Sequence, residues 1–551
     1  MNDNSNHYYL SEGESILKKI MSLLVLLIVS GSMLVACGNS DDKTKKDKAK
    51  GENEHVLTIS WPKDIGEVNP HLYAPNEMFA QAMIYDPLVR YGNDGQIEPG
   101  LATAWEMSQD GKSYIFTLRD NVLYSDGSQL TADNVKRNIE TVVENIAPHS
   151  WLEVVAVIDR VEVLDKLKLQ IHLKEPYYPF LQELTLIRPL RMLGDSGFPA
   201  SGTTKDGIEK AVGTGPWILT DYKQDNFAEF SRNEHYWGEK PKLEKVIVKI
   251  IPDSQARMMA LEKGDIDLIF GSGQLAPEEL RVLEKNPQYQ TLISEPSSTR
   301  ILSFNSDYGV TQDKDVRLAL QYAFDRQTII EHVLNGIEQE AKSLFAPGFP
   351  YSDIPFESYS YDLEKAQQLL DKAGWIFEEG APFRSKDGQA LTITIPYNSN
   401  DQVHKSIFEY LQGAWRELGV DVKLIGEEDQ LFRTRSKTGE FNVIMNDTWG
   451  APYDPHMYLR MMTGEKQIGY YALKGTAHSE QLAANIAKVI RSTDESERQS
   501  LYEAILQTIH EEAIFMPLSY RTNYLVANQR LANLSFSMQQ FEVPLNQYEV
   551  K

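Results

Sequence analysis

The sequence predicts an α/β protein with mixed, partly parallel sheets gathered into more than one lobe. Three observations lead there. Short runs with a two-residue apolar period alternate with stretches whose apolar residues recur at helical spacing. Glycine closes several of the helical stretches, as a left-handed stop does. Hydrophobic residues make up 42% of the 551-residue chain and aromatics 10%, enough apolar material for large cores. At roughly 100–200 residues per domain, that length calls for several domains or a few large lobes.

Taken in order, the first element is a leader. Lys18 and Lys19 precede an almost wholly apolar run from Ile20 to Val29, and Leu34-Val35-Ala36-Cys37-Gly38 closes it. This order matches a bacterial lipoprotein signal, residues 1–36, cut before Cys37, whose new N-terminus carries lipid. The run is short for a membrane span of about 20 residues. Residues 1–15 fit no signal pattern, so the start is expected near Ile16. Residues 37–55 then read as the lipidated Cys37 and a polar, Lys/Asp-rich flexible tether. No later stretch is apolar for long enough to cross a bilayer. The expectation is a body anchored by lipid to the extracytoplasmic face of the cell membrane.

From Val56 the alternation of strand and helix begins. Val246–Ile251 reads as a strand, Ser254–Lys263 as a helix closed by Gly264, and Ile266–Phe270 as a strand again. Val316, Ala319, Leu320, Ala323 and Phe324 share one helical face, as do Leu363, Ala366, Leu370 and Ala373 before Gly374. Leu391, Ile393 and Ile395 alternate with threonine as a half-buried strand does. Ile407, Leu411, Ala414, Trp415 and Leu418 follow at helical spacing up to Gly419, and Val420, Val422 and Leu424 restart the two-residue period. Strand–helix–strand units of this kind imply parallel pairing.

Charge and cysteine usage narrow the function classes. The net charge is −24, and removal of residues 1–36 leaves 53 basic against 76 acidic residues, or −23. Such a surface argues against nucleic acid or an anionic membrane as a partner held through charge. With Cys37 the single cysteine, the mature fold holds no disulfide. An enzyme is not expected either: no GxSxG elbow, P-loop, GxGxxG after a strand or HExxH stands in the chain. The eleven histidines show no close pair at metal-ligand spacing. A secreted hydrolase is the rival from another class, and it lacks a visible nucleophile or metal triad.

Several separate stretches resemble one family. They include Tyr85-Asp86-Pro87-Leu88, Leu101-Ala102-Thr103-Ala104-Trp105, Gly213-Thr214-Gly215-Pro216-Trp217, Arg232-Asn233-Glu234-His235-Tyr236-Trp237-Gly238, Lys263-Gly264-Asp265-Ile266-Asp267 and Ala323-Phe324-Asp325-Arg326. Together they are similar to the extracytoplasmic solute-binding proteins of peptide and nickel ABC importers. Five further stretches resemble the nickel-binding branch: Asn69 to Tyr73, Asn76 to Gln81, His149 to Glu153, Tyr177 to Leu184, and Thr448 to His456.

The resemblance implies a two-lobe, periplasmic-binding-protein-like fold that closes on its ligand about a hinge. Lobe I would comprise residues 56–298 with 517–551 returning to it, and lobe II residues 299–516, with crossings near Thr299–Ser303 and Met516–Tyr520. It implies a monomer that captures nickel as a small-molecule chelate, of histidine or metallophore type, and delivers it to ABC permease subunits. No catalytic cofactor is expected. The alternative is a binder of peptides or of an opine-type metallophore carrying nickel or cobalt.

Such a chelate presents carboxylate oxygens, for which the planar arginine fork is the natural bidentate partner. The resemblance assigns that clamp to Arg188, with Arg191 and Arg435 as weaker candidates. Tyr73, Trp151, Trp449 and Tyr453 would supply aromatic walls and Met78 a polarisable contact. His149 and His456 are the candidates for direct metal contact, and His71 lies in a matched stretch as well. In a family relative a histidine about a dozen residues beyond the Trp449–Tyr453 run contacts the metal. Here Tyr458 to Tyr471 contains none; Met461, Met462, Glu465 and Lys466 stand there, and His478 is the nearest downstream. That departure favours a chelate that fills the coordination sphere itself.

Overall fold

A sheet of nine strands forms the backbone of the molecule. The computed structural model describes residues 55–73 and 75–551; the leader, Cys37 and all of the tether but His55 lie outside the described residues. In spatial order eight strands are Val443–Asp447, Tyr289–Phe304, Phe515–Asn528, Leu268–Phe270, Val56–Trp61, Lys245–Ile250, Phe227–Arg232 and Trp217–Lys223. The ninth, Gln339–Glu340, pairs onto Phe515–Asn528. The sheet is mixed. Val56–Trp61 runs parallel to both of its neighbours, and the other pairings are antiparallel.

The strand–helix–strand expectation holds in two places. The strand Lys245–Ile250, the helix Ser254–Lys263 and the strand Leu268–Phe270 form one unit, whose strands flank Val56–Trp61. Asp253 caps that helix by accepting the Ala256 N–H at 2.8 Å, and Gly264 ends it at φ +74°, a left-handed conformation that glycine adopts without strain. Strand Thr392–Asn398, helix Gln402–Glu417 and strand Asp421–Glu427 form the other, with the two strands paired in parallel. Helices Lys314–Tyr322 and Leu363–Lys372 occupy the two remaining predicted positions. A separate antiparallel sheet of four strands, Ala102–Met107, Ser113–Leu118, Lys168–Leu173 and Ile158–Asp165, was not anticipated.

Three large apolar clusters fill the interior. Leu57, Ile59, Phe79, Trp217, Val246 and Leu525 belong to the first. Leu302, Phe304, Val316, Ile393, Trp415 and Met516 belong to the second. The third gathers Leu88, Phe116 and Ile171 with Met457, Leu482 and Ile505. The expected crossings at 299–303 and 516–520 lie inside the two long strands, which pair there with Thr299 opposite Tyr520 and Ser303 opposite Phe515. Bulges at Pro296 and beyond Arg300 bend this ladder just before and within the crossing. Among the described residues no helix is long and apolar enough to span a membrane.

Candidate functional site

Most of the sequence-predicted ligand residues meet around one cavity of about 800 Å³. Met78, Trp151, Arg188, Trp449 and Tyr453 all line it. Each arrives by a different route. Met78 opens the short helix Met78–Ile84, and Trp151 sits between the turn Ala147–His149 and the helix Glu153–Val157. Arg188 follows the helix Phe180–Glu183, while Trp449 and Tyr453 ride the loop between strand Val443–Asp447 and helix His456–Met461.

The aromatic residues form a continuous wall. Ring centroids lie 5.5 Å apart for Tyr73 and Trp151, 5.7 Å for Trp151 and Trp449, and 5.8 Å for Trp449 and Tyr453; the last two pairs are edge-on, the arrangement that ring quadrupoles favour. Tyr73, expected as a wall of the cavity itself, does not line it and instead backs Trp151. Its hydroxyl shares a 2.9 Å hydrogen bond with His149 Nδ1, and its ring lies 5.3 Å from the Arg188 guanidinium. The Trp449 loop is pinned from three sides. Buried Asp454 accepts the N–H groups of Gly450 at 2.7 Å and Trp449 at 3.2 Å, Gln540 Nε2 donates to the Trp449 carbonyl at 2.7 Å, and Thr448 bonds to Thr299. Burial pushes the Asp454 carboxyl up to about 7.

Arg188 is the cation of this wall. Its Nη1 donates to the carbonyls of Tyr73 at 2.7 Å and Asn76 at 2.9 Å, which fixes the guanidinium and the segment carrying Met78 together. Among the described residues no carboxylate forms an ion pair with it. Burial lowers its pKa, an effect only partly offset by Tyr453, Tyr73 and Glu77. A half-buried cation that no carboxylate pairs with, on the lining of an aromatic cavity, has the chemistry to accept a carboxylate.

The weaker arginine candidates are engaged elsewhere and line no part of this cavity. Arg191 is buried, donates to the Tyr85 carbonyl at 2.8 Å and pairs with Glu542 at 3.5 Å. Arg435 pairs with Glu427 at 2.6 Å. The histidines are likewise set back. His149 is buried behind Tyr73, pushed down to about 4 by burial, with Nε2 unpartnered. His456 Nε2 bonds to buried Glu183 at 3.1 Å, an oxygen that also accepts the Tyr177 hydroxyl at 2.5 Å. His71 is held on both ring nitrogens by Thr204 and Asn138. His478 bonds to Glu512 at 2.7 Å. No group of three His, Cys, Asp or Glu among the described residues could hold a metal ion.

Further residues, outside the predicted set, complete the cavity wall. Trp61, Phe79 and Phe270 extend its apolar lining, and Glu77, Gln467 and Met461 face it. Glu77 stood inside a matched stretch and Met461 in the run that lacks a histidine, so both had a signal. Asp447, the last residue of strand Val443–Asp447, forms an ion pair with Arg521, midway along Phe515–Asn528, across the intervening strand Tyr289–Phe304, and Arg521 Nη2 reaches Ser272 Oγ at 3.0 Å. Nothing in their local sequence marks that pairing.

Comparison with known proteins agrees with this architecture. The family model for bacterial extracellular solute-binding proteins, family 5 (middle part), matches residues 96–470. The nickel-binding periplasmic protein of Escherichia coli is 42% identical over 492 residues, 89% of this chain and 94% of that protein. The structure of NikA from Brucella suis in complex with Fe(III)-EDTA superposes with a TM-score of 0.88 at 43% identity, over 90% of this chain and all of that one. NikZ from Campylobacter jejuni in complex with Ni(L-His) gives a TM-score of 0.73 at 25% identity, over 90% of this chain and 99% of that one. The two-lobe arrangement of mixed sheets is shared with these structures, and the chain belongs to the family 5 bacterial extracellular solute-binding proteins.

Proposed function

We propose that this protein is the substrate-binding component of a nickel ABC importer and captures nickel as a small-molecule chelate. The observation that carries the reading is Arg188: an unpaired guanidinium held at the edge of an aromatic cavity of about 800 Å³. A cavity of that size suits a small metal complex, whose carboxylates the fork would grip and whose flat faces the tryptophans would cover. The scarcity of metal ligands among the described residues supports a metal that arrives already wrapped. So do relatives that carry Fe(III)-EDTA and Ni(L-His).

In this reading Met78, Trp151, Arg188, Trp449 and Tyr453 bind the chelate, Tyr73 braces Trp151 and Arg188 from behind, and His149 and His456 are held in reserve as direct metal contacts. The protein acts as a monomer, anchored through Cys37 to the extracytoplasmic face of the membrane. It closes residues 299–516 against the rest about the crossings near 299–303 and 516–520, and hands its ligand to the permease without catalysing a reaction. A larger, opine-type metallophore is the second reading. It is favoured by a cavity of about 880 Å³ that shares Lys63, Ser272, Asp447 and Arg521 with the first.

Calorimetry with nickel alone, histidine alone and the two together tests the proposal. Bare nickel is expected to bind weakly and nickel with histidine much more tightly. Tight binding of aqueous nickel without chelator would overturn the chelate reading and return attention to His149 and His456.

A further inference from the structure

The ligand cavity carries a second unpaired charge, of opposite sign to Arg188. Glu77 immediately precedes the helix Met78–Ile84, and its side chain faces the same cavity. Its Oε2 accepts the indole N–H of Trp61 at 3.0 Å, and Trp61 is in turn packed on Phe79 with ring centroids 4.1 Å apart. The carboxylate is thus aimed by a rigid aromatic support. No lysine, arginine or histidine among the described residues forms an ion pair with it. It lies close enough to Arg188 to act on its charge, yet the two do not touch. The other charged groups on the lining leave this arrangement alone: Asp447 and Arg521 neutralise each other, and Lys63 is exposed.

An anion and a cation, each fixed by its own support and separated by a gap, complement a ligand that carries both a carboxylate and an N–H donor. We infer that Glu77 accepts an amino N–H group of the bound chelator and so selects amino-acid-type chelates over complexes built from carboxylates or tertiary amines alone. The chemistry fits a metal complex. A primary amino group bound to nickel keeps two N–H donors, whereas citrate and EDTA complexes carry carboxylates and no N–H. Against those, Glu77 sets like charge in a cavity lined by Trp61, Phe79 and Phe270.

The inference rests on the chelate reading above, and its test separates the two. Calorimetry on the full-length protein would compare nickel–histidine, nickel–citrate and Fe(III)-EDTA, with wild type beside Glu77→Gln. Wild type is expected to favour nickel–histidine over the other two by at least tenfold. Glu77→Gln keeps an oxygen for the Trp61 N–H and is expected to narrow that ratio at least threefold by improving the carboxylate-only complexes. An unchanged ratio in the variant overturns the role of Glu77 while leaving the chelate reading intact. Binding of none of the three by wild type overturns both. A ligand-side measurement needs no variant. Nickel with Nα,Nα-dimethylhistidine lacks the amino N–H groups and should bind wild type at least tenfold more weakly than nickel–histidine. Equal affinity for the two would overturn the inference.

Discussion

The structural bonds of Arg188 and the ligand contact proposed for it are separable by measurement. The guanidinium ties together the carbonyls of Tyr73 and Asn76 and still faces the cavity without a carboxylate. Arg188→Ala should weaken chelate binding by more than about tenfold, or about 1.4 kcal/mol, because a desolvated ligand carboxylate is left unpaired. It should also lower the unfolding free energy of the empty protein by about 1–3 kcal/mol, the cost of losing two charge-assisted bonds to buried carbonyls. Arg188→Lys restores a point charge but not the fork, so only part of the affinity should return. Calorimetry paired with denaturant unfolding reads both effects; full recovery by lysine would remove the bidentate picture. The residue type and the matched stretch around it single out Arg188 as a candidate in the sequence, and the structure puts it on the cavity lining. Its bonds to Tyr73 and Asn76, more than a hundred residues away, are not legible in the sequence, because they depend on how the chain returns to the cavity.

At the scale of elements, the loop from Thr448 to Pro455 decides how the far wall of the cavity stands. Gly450 occupies φ +73°, and a Cβ there would lie 2.2 Å from the Ser297 carbonyl oxygen on the long strand Tyr289–Phe304. Gly450→Ala therefore meets a left-handed backbone and a backbone clash together. The expected result is a loss of at least about 1 kcal/mol of stability, together with weaker chelate binding, because Trp449 must move with its neighbour. Thermal unfolding and calorimetry on the same variant check both; a normal affinity would mean that Trp449 does not need its present position. Helices and strands themselves were readable wherever period and stop signals agreed, as at Ser254–Lys263 with Gly264 or at Gln402–Glu417 with Gly419. The order of the nine strands was not. Thr299 pairs with Tyr520 across more than two hundred residues, and local periodicity carries no record of such a partner. The four-stranded antiparallel sheet leaves little local trace for a similar reason: outward residues such as Thr103, Ala104 and Glu106 dilute the apolar alternation of its edge strand.

For the whole molecule, a single cysteine outside the described residues means that packing must carry the stability of this strongly acidic body, and its buried titratable groups set the response to pH. Burial pushes His71 and His149 down to about 4 and lowers His404 and His510 as well. Between the folded values and about 6.5, the unfolded chain binds protons that the native histidines refuse, so stability falls as the pH drops through that window. Asp454 works in the opposite sense. Its carboxyl is raised to about 7, so between about 4 and 7 the native state holds a proton that the unfolded state releases. Its contribution is fully present below pH of about 4 and is lost as the pH rises to about 7. Over the shared window four histidines oppose one aspartate, and the net effect of these groups is a rise in stability from pH of about 4 to about 6.5. From about 6.5 to about 7 the histidines are silent and Asp454 alone gives a decline. Asp454→Asn should therefore steepen the acid limb by up to about 1.4 kcal/mol per pH unit and abolish the decline above it. Denaturant unfolding of wild type and variant at half-unit steps from pH 4.5 to 8 measures this directly. Parallel curves would mean that Asp454 is ionised in the folded protein. In that case the N–H groups of Trp449 and Gly450, rather than burial, set its charge, and the cavity wall would keep its anionic anchor throughout that range.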